Sequence, residues 1–185
     1  MSTITVEPEY GCTVYTNDAG QFHREDGPAV EAPMENGVYV WAEPIKARLR
    51  NPPFVSIDQL VGNQEWWING KRHREDGPAF ISDDGEVWFY EGKFHRIGGP
   101  AITYSNGHKV WYQYGKLHRN DGPAVVHTNG YEEWWLAGKR HRANGPAVTW
   151  PNGDQDWWFE GEKITAPQEI SRLKKGKQRS KKGLR

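Results

Sequence analysis

The phrase His-Arg-x-x-Gly-Pro-Ala occurs five times in this chain, with its histidines at His23, His73, His95, His118 and His141. The last four are 22 or 23 residues apart; the first gap is 50, roughly two periods with extra residues inserted. Around each copy the same words return: a paired aromatic, Gly-Lys, the His-Arg phrase, then Asn-Gly or Asp-Gly. A period this short means one small unit stacked many times, each burying its apolar side only against its neighbours. Two turn signals punctuate each unit. One is the glycine after the aromatics (Gly70, Gly92, Gly115, Gly138, Gly161), and the other is Asp84-Gly85, Asn106-Gly107, Asn129-Gly130 and Asn152-Gly153. The segments between them are too short for stacked helices and suit hairpins. The expected fold is therefore all-β, an elongated antiparallel array of β-hairpins. The Gly-Pro-Ala step predicts a bulge or bend, with glycine at positive φ and proline removing a ladder donor.

The period divides the chain. Residues 1–41 read as an N-terminal cap and first repeat, 62–163 as the main array, and 42–61 as an insert that breaks the period. Pro44 can open a short basic helix in the insert, stopped by Asn51-Pro52-Pro53. Insertions in arrays loop off one face, often the binding face; a plain spacer is the alternative. Residues 164–185 form a basic tail, with a short helix expected near 168–175 and disorder beyond. Formal net charge is zero, but nine of the 24 basic residues and one of the 24 acidic ones lie at 163–185, giving that segment about +8. The rest, 15 basic against 23 acidic, carries about −8. One cysteine, Cys12, excludes an internal disulfide and suits a reducing compartment. No apolar run approaches the ~20 residues of a membrane helix. The start, MSTITVEPEYG, lacks the basic and apolar regions of a secretory leader. The cytoplasm of a producing or infected cell is the expected location.

Successive strand residues point to opposite faces, so the paired aromatics split into two columns. The first is Trp throughout (Trp41, Trp66, Trp88, Trp111, Trp134, Trp157). With the apolar residue after each Ala (Val30, Phe80, Ile102, Val125, Val148), it is expected to form the buried face. The second column is Trp67, Phe89, Tyr112, Trp135 and Trp158, with mostly polar neighbours. It is either a second packing layer or an exposed binding stripe, since Trp and Tyr anchor interfaces.

Five aligned histidines invite a metal or catalytic reading, and spacing argues against it. Equivalent side chains in successive hairpins stand roughly 10 Å apart, whereas ligand atoms sit about 2.1 Å from a zinc ion. The aspartate of the phrase also lapses, to Gly98 and Asn144. The ladder is expected to be structural, with Asp26, Asp76 and Asp121 shaping the turn and each Arg pairing with Asp or stacking on Trp. No catalytic residue, metal site or cofactor is expected. His108 and His127 read as ordinary strand residues.

The words Trp67-Ile68-Asn69-Gly70-Lys71-Arg72-His73 and Tyr104-Ser105-Asn106-Gly107 resemble the MORN repeat family, whose units are also about 23 residues. The likeness covers 20–41 and 64–163; the Arg-x-Asp-Gly-Pro-Ala insert stands where MORN units carry Gly-x-Gly. The resemblance implies a β-hairpin array used as a protein scaffold, a lipid-associated module or, in a bacterial subset, an antitoxin. The leading expectation is a non-enzymatic protein-binding module, such as a phage or bacterial inhibitor or antitoxin-type regulator. The alternatives are nucleic-acid association through the tail (Lys174, Lys175, Lys177, Arg179, Lys181, Lys182, Arg185) and small-molecule or nucleotide binding on the aromatic face. A membrane surface ranks below these.

Overall fold

In a computed structural model the described residues are 3–7, 12–31, 34–35, 38–39 and 64–165, with side chains described for 13–31 and 64–165. The insert 42–61, Trp41 and the tail from residue 166, including the helices expected there and the seven basic tail residues, lie outside them. All regular structure among the described residues is strand.

Thirteen of these strands form one antiparallel sheet running from Thr3–Glu7 to Glu162–Ile164. The sheet passes directly from Val30–Glu31 to Gln64–Glu65. The 50-residue gap is thus not a missing period. The unit of His23 stacks directly on the unit of His73, and the sequence 32–63 falls between two paired strands, as Asp83-Asp84 does between Ser82 and Gly85 one unit later.

Four successive units also carry a two-stranded hairpin outside the long sheet, such as Phe89–Tyr90 with Lys93–Phe94 or Tyr112–Gln113 with Lys116–Leu117. Both residues of the hairpin loop have positive φ, 47° at Glu91 and 74° at Gly92, which is the mirror-image turn that matches strand twist. The Asn-Gly loops have another geometry. Tyr104 N–H donates to His108 O across three residues, with only Gly107 left-handed at φ 86°. The hairpins stack on one another in turn, as Gly92 N–H donates to Arg72 O (2.9 Å) and Arg74 N–H to Phe89 O (3.2 Å).

The first Trp of each pair is the pivot between the two layers. Trp88 N–H donates to Ala101 O of the long sheet (2.7 Å), while Trp88 O accepts from His95 N–H at the hairpin (3.1 Å). No periodic signal marks this split. In the last unit the pivot is gone, and Gln155–Phe159 runs unbroken through both layers.

The buried face differs from the expectation in two respects. Val30, Phe80, Ile102 and Val148 are buried as expected, but Val125 is half-buried, and so are Trp66, Trp88, Trp111, Trp134 and Trp157 of the first column. Register decides this. Phe80 pairs with Val87, not Trp88, so Val87 and, two residues on, Phe89 share its side. Phe80, Val87 and Ile102 form the core cluster, and Phe89, Phe94 and Tyr112 pack on it from the hairpin layer. The alanines of Gly-Pro-Ala (Ala29, Ala79, Ala101, Ala124, Ala147) are fully buried.

The array ends in a cap. Ile164 takes the histidine position and Thr165 the arginine position, and Ile164 packs with Phe159 and Trp157.

Candidate functional site

The His-Arg ladder holds the array together in two ways. Each histidine Nδ1 accepts a hydrogen bond from a backbone N–H of the next unit: Asn69 to His23, Glu91 to His73, Tyr114 to His95, Ala137 to His118 and Glu160 to His141, at 3.1–3.2 Å. Every donor is the non-glycine residue held at φ 47–53° in the hairpin loop. The acceptor must be a bare nitrogen, so the proton of the neutral ring sits on Nε2.

Each arginine closes its own unit. The guanidinium of Arg74 lies 4.1 Å from the Trp66 ring centroid, donates to Asp76 (2.9 Å) and donates to the Pro78 carbonyl (3.3 Å). Arg24 does the same over Tyr15, which stands in the Trp position of the first unit. Arg96 and Arg142 keep the ring and the proline carbonyl where the aspartate lapses. The clamp is thus the ring and the carbonyl; the exposed Asp26, Asp76 and Asp121 are followers whose arginines hold their carboxyls below the usual range. The glycine of the phrase also has another reason than the one expected. Gly77 is not left-handed; a Cβ there would sit 2.6 Å from Arg74 Cζ. Glycine is needed because the guanidinium covers it.

The second aromatic column lines the inner side of the layers. Trp67, Phe89, Tyr112, Trp135 and Trp158 are all half-buried. Their surroundings alternate between two chemistries. Trp67 Nε1 donates to Glu65 (2.8 Å), whose carboxylate also receives Arg72 (3.1 Å). Glu65 is only 3% exposed. Glu133 repeats the plan with Trp135, Arg140 and the Tyr131 hydroxyl, and burial and that bond push the tyrosine pKa well up. Asp156 pairs with Lys163 at 2.7 Å, which lowers its pKa. Between these ionic units the same positions hold Val87, Phe89 and Phe94, then Val110, Tyr112 and Leu117.

Sequence reasoning missed a string of rings near the Asn-Gly edge. Tyr104, His108, His127, Tyr131 and Trp150 touch in succession, with His108 and His127 stacked at 4.3 Å. Burial and then the neighbouring His108 lower the His127 pKa. These residues flank the three-residue loops, and their spacing could have been read once the loop length was known. Also missed was the outer hairpin surface around Tyr114. Among the described residues no group of three or more His, Cys, Asp or Glu gathers, and among them no helix is long and apolar enough to cross a membrane. Comparison with family models, with curated proteins and with solved structures returns no match.

Proposed function

We propose that this chain is a non-enzymatic repeat array that binds another protein. One observation carries the reading: the histidine and arginine contacts that join and close the units are copied along the array, while the exposed left-handed loop position changes from unit to unit. The ladder histidines and arginines, which could do chemistry singly, are each engaged in a contact copied along the array. By contrast, the hairpin loops present Asn69, Glu91, Tyr114, Ala137 and Glu160 in turn. A copied set of junctions with a changing loop position displays a particular surface on a repeated frame. The resemblance to MORN arrays agrees with a scaffold role, and a regulator or inhibitor in a bacterial or phage-infected cell fits it. Purification of the tagged full chain from its own host, in physiological salt and after nuclease treatment, tests the reading. A stoichiometric protein that rebinds in purified form is expected. Retention of nucleic acid alone would favour the second reading, which rests on the charge of about +8 at residues 163–185.

A further inference from the structure

We propose that the outer hairpin surface centred on Tyr114 is the docking site, and that its occupant is an extended acidic segment in the polyproline II conformation, supplied by the partner protein. This rests on the protein-binding reading above. Lys71, Lys93, Lys116 and Lys139 hold the same position in four successive hairpins, and all are exposed. The stem of each lies across the turn glycine of the next unit. Lys93 Cβ and Cγ stand 3.8 Å from where a Cβ on Gly115 would be, and the other three rows match at 3.6–3.8 Å. The four stems thereby repeat the same placement from one unit to the next. None of the four joins an ion pair among the described residues, whereas Arg24, Arg72, Arg74, Arg119, Arg140 and Lys163 all do. The row stops one unit after Lys139, where Glu162 takes the position.

Tyr114 supplies the anchor. Its ring is 59% exposed on a backbone at φ 47°, a conformation that favours Gly and Asn and strains a bulky residue. The fold gains little from an aromatic there, since the unit before has Glu91 and the unit after has Ala137. One side of the ring rests on His95 (4.1 Å between centroids), and its edge meets Tyr90 (6.3 Å, 88°). Lys93, the cross-strand partner of Tyr90, and Lys116, that of Gln113, flank the pair.

Pitch selects the partner. Successive lysines are two strand spacings apart, about 9.6 Å. A polyproline II helix has three residues per turn and rises about 9.3 Å per turn, so an acid at every third residue meets the row in step. Such helices pack their proline rings on exposed aromatic side chains, as Tyr114 presents here. A nucleic-acid strand carries a charge about every 3.4 Å in a duplex, and most would face no lysine and would meet Glu91.

The test uses the full chain and a fluorescent peptide of six Glu-Pro-Pro triplets, with two competitors of equal charge: a peptide of the same composition with its glutamates in one block, and oligothymidylate. The triplet peptide is expected to bind more tightly than either. Lys93→Glu/Lys116→Glu should weaken it about tenfold through lost complementarity. Tyr114→Asn should weaken it severalfold without lowering the melting temperature, because Asn suits the left-handed turn. Binding through the basic tail would be indifferent to these substitutions. Equal affinity for the three chains, or for the two peptides, overturns the site. Tighter oligothymidylate binding with the same sensitivity overturns the choice of partner class. A natural protein partner that ignores all three substitutions would overturn this site and leave the protein-binding reading standing.

Discussion

Two kinds of unit share one frame. In the units of Trp67 and Trp135 the inner side is closed by a buried carboxylate, an indole N–H and an arginine; in those of Phe89 and Tyr112 it is closed by Val, an aromatic ring and Phe or Leu. Backbone pairing is the same around both, with Glu65 opposite Phe80 and Val87 opposite Ile102. The three positions change together, so they form a module that the frame accepts in either form. The apolar form needs only volume. The ionic form needs every partner, because a buried charge without its counter-ion costs far more than a matched pair gains. The ionic form also excludes other registers, since a one-residue slip would turn Glu65 to the opposite face and leave Arg72 without its carboxylate.

The sharpest break in this comparison is Arg72→Leu. It leaves Glu65 buried without its cation, and denaturant melts should show a loss of about 3–5 kcal/mol. Phe94→Leu, at the equivalent position one unit later, should cost under about 1.5 kcal/mol. A small loss at Arg72 would mean that Glu65 reaches water. Installing the whole apolar module, Glu65→Val with Trp67→Phe and Arg72→Phe, should return stability to within about 1 kcal/mol of the parent or above it. A triple variant no better than Arg72→Leu would show that the ionic set is fixed by something beyond packing.

A smaller effect should be blind to the difference. The arginine clamp is common to both kinds of unit, and a Cβ on Gly77 or Gly99 would come 2.6 or 2.9 Å from the guanidinium carbon. Gly77→Ala and Gly99→Ala should each cost about 1–3 kcal/mol by crowding. Markedly unequal losses would place the aspartate of the first, absent in the second, at the centre of the clamp.

The smallest expected effect is on pH. Burial lowers the His95 pKa from its ordinary value of 6.5. Its Nδ1 accepts from Tyr114 N–H, so the neutral ring is the one the fold uses. The junction therefore contributes fully above about pH 6.5 and loses its contribution as pH falls below that. Losing one such bond costs roughly 0.5–1.5 kcal/mol. The protection of Tyr114 N–H against hydrogen exchange should fall between pH 7 and pH 5.5; unchanged protection would sink this account.

The period, the two glycine turns and the pairing of Arg with Asp and Trp were legible because each rests on local chemistry repeated in every unit. The face assignment was not. Which aromatic column turns inward depends on whether Phe80 lies opposite Val87 or Trp88, and loop length sets that register. The Asn-Gly words suggested the tightest turns, yet the two-residue loops are Glu91-Gly92, Tyr114-Gly115 and Ala137-Gly138. The histidine bonds reach 18 or 19 residues along the chain within the main array, and nothing in spacing alone reveals an acceptor so distant. The 50-residue gap misled by being close to two periods, although Val30–Glu31 pairs directly with Gln64–Glu65.

One residue at the end of the array has a wider consequence. A ladder with identical junctions has no natural length: like a growing polymer, it would accept another monomer at its open end for as long as that end offers the right acceptor. Ile164 withholds it, and the charged outer strand Glu162–Ile164 discourages a neighbouring chain from adding by sheet pairing alone. The number of units is thus written at the terminator rather than in the frame. An in-frame duplication of 88–110 should extend the rod by one step and leave both ends as they are.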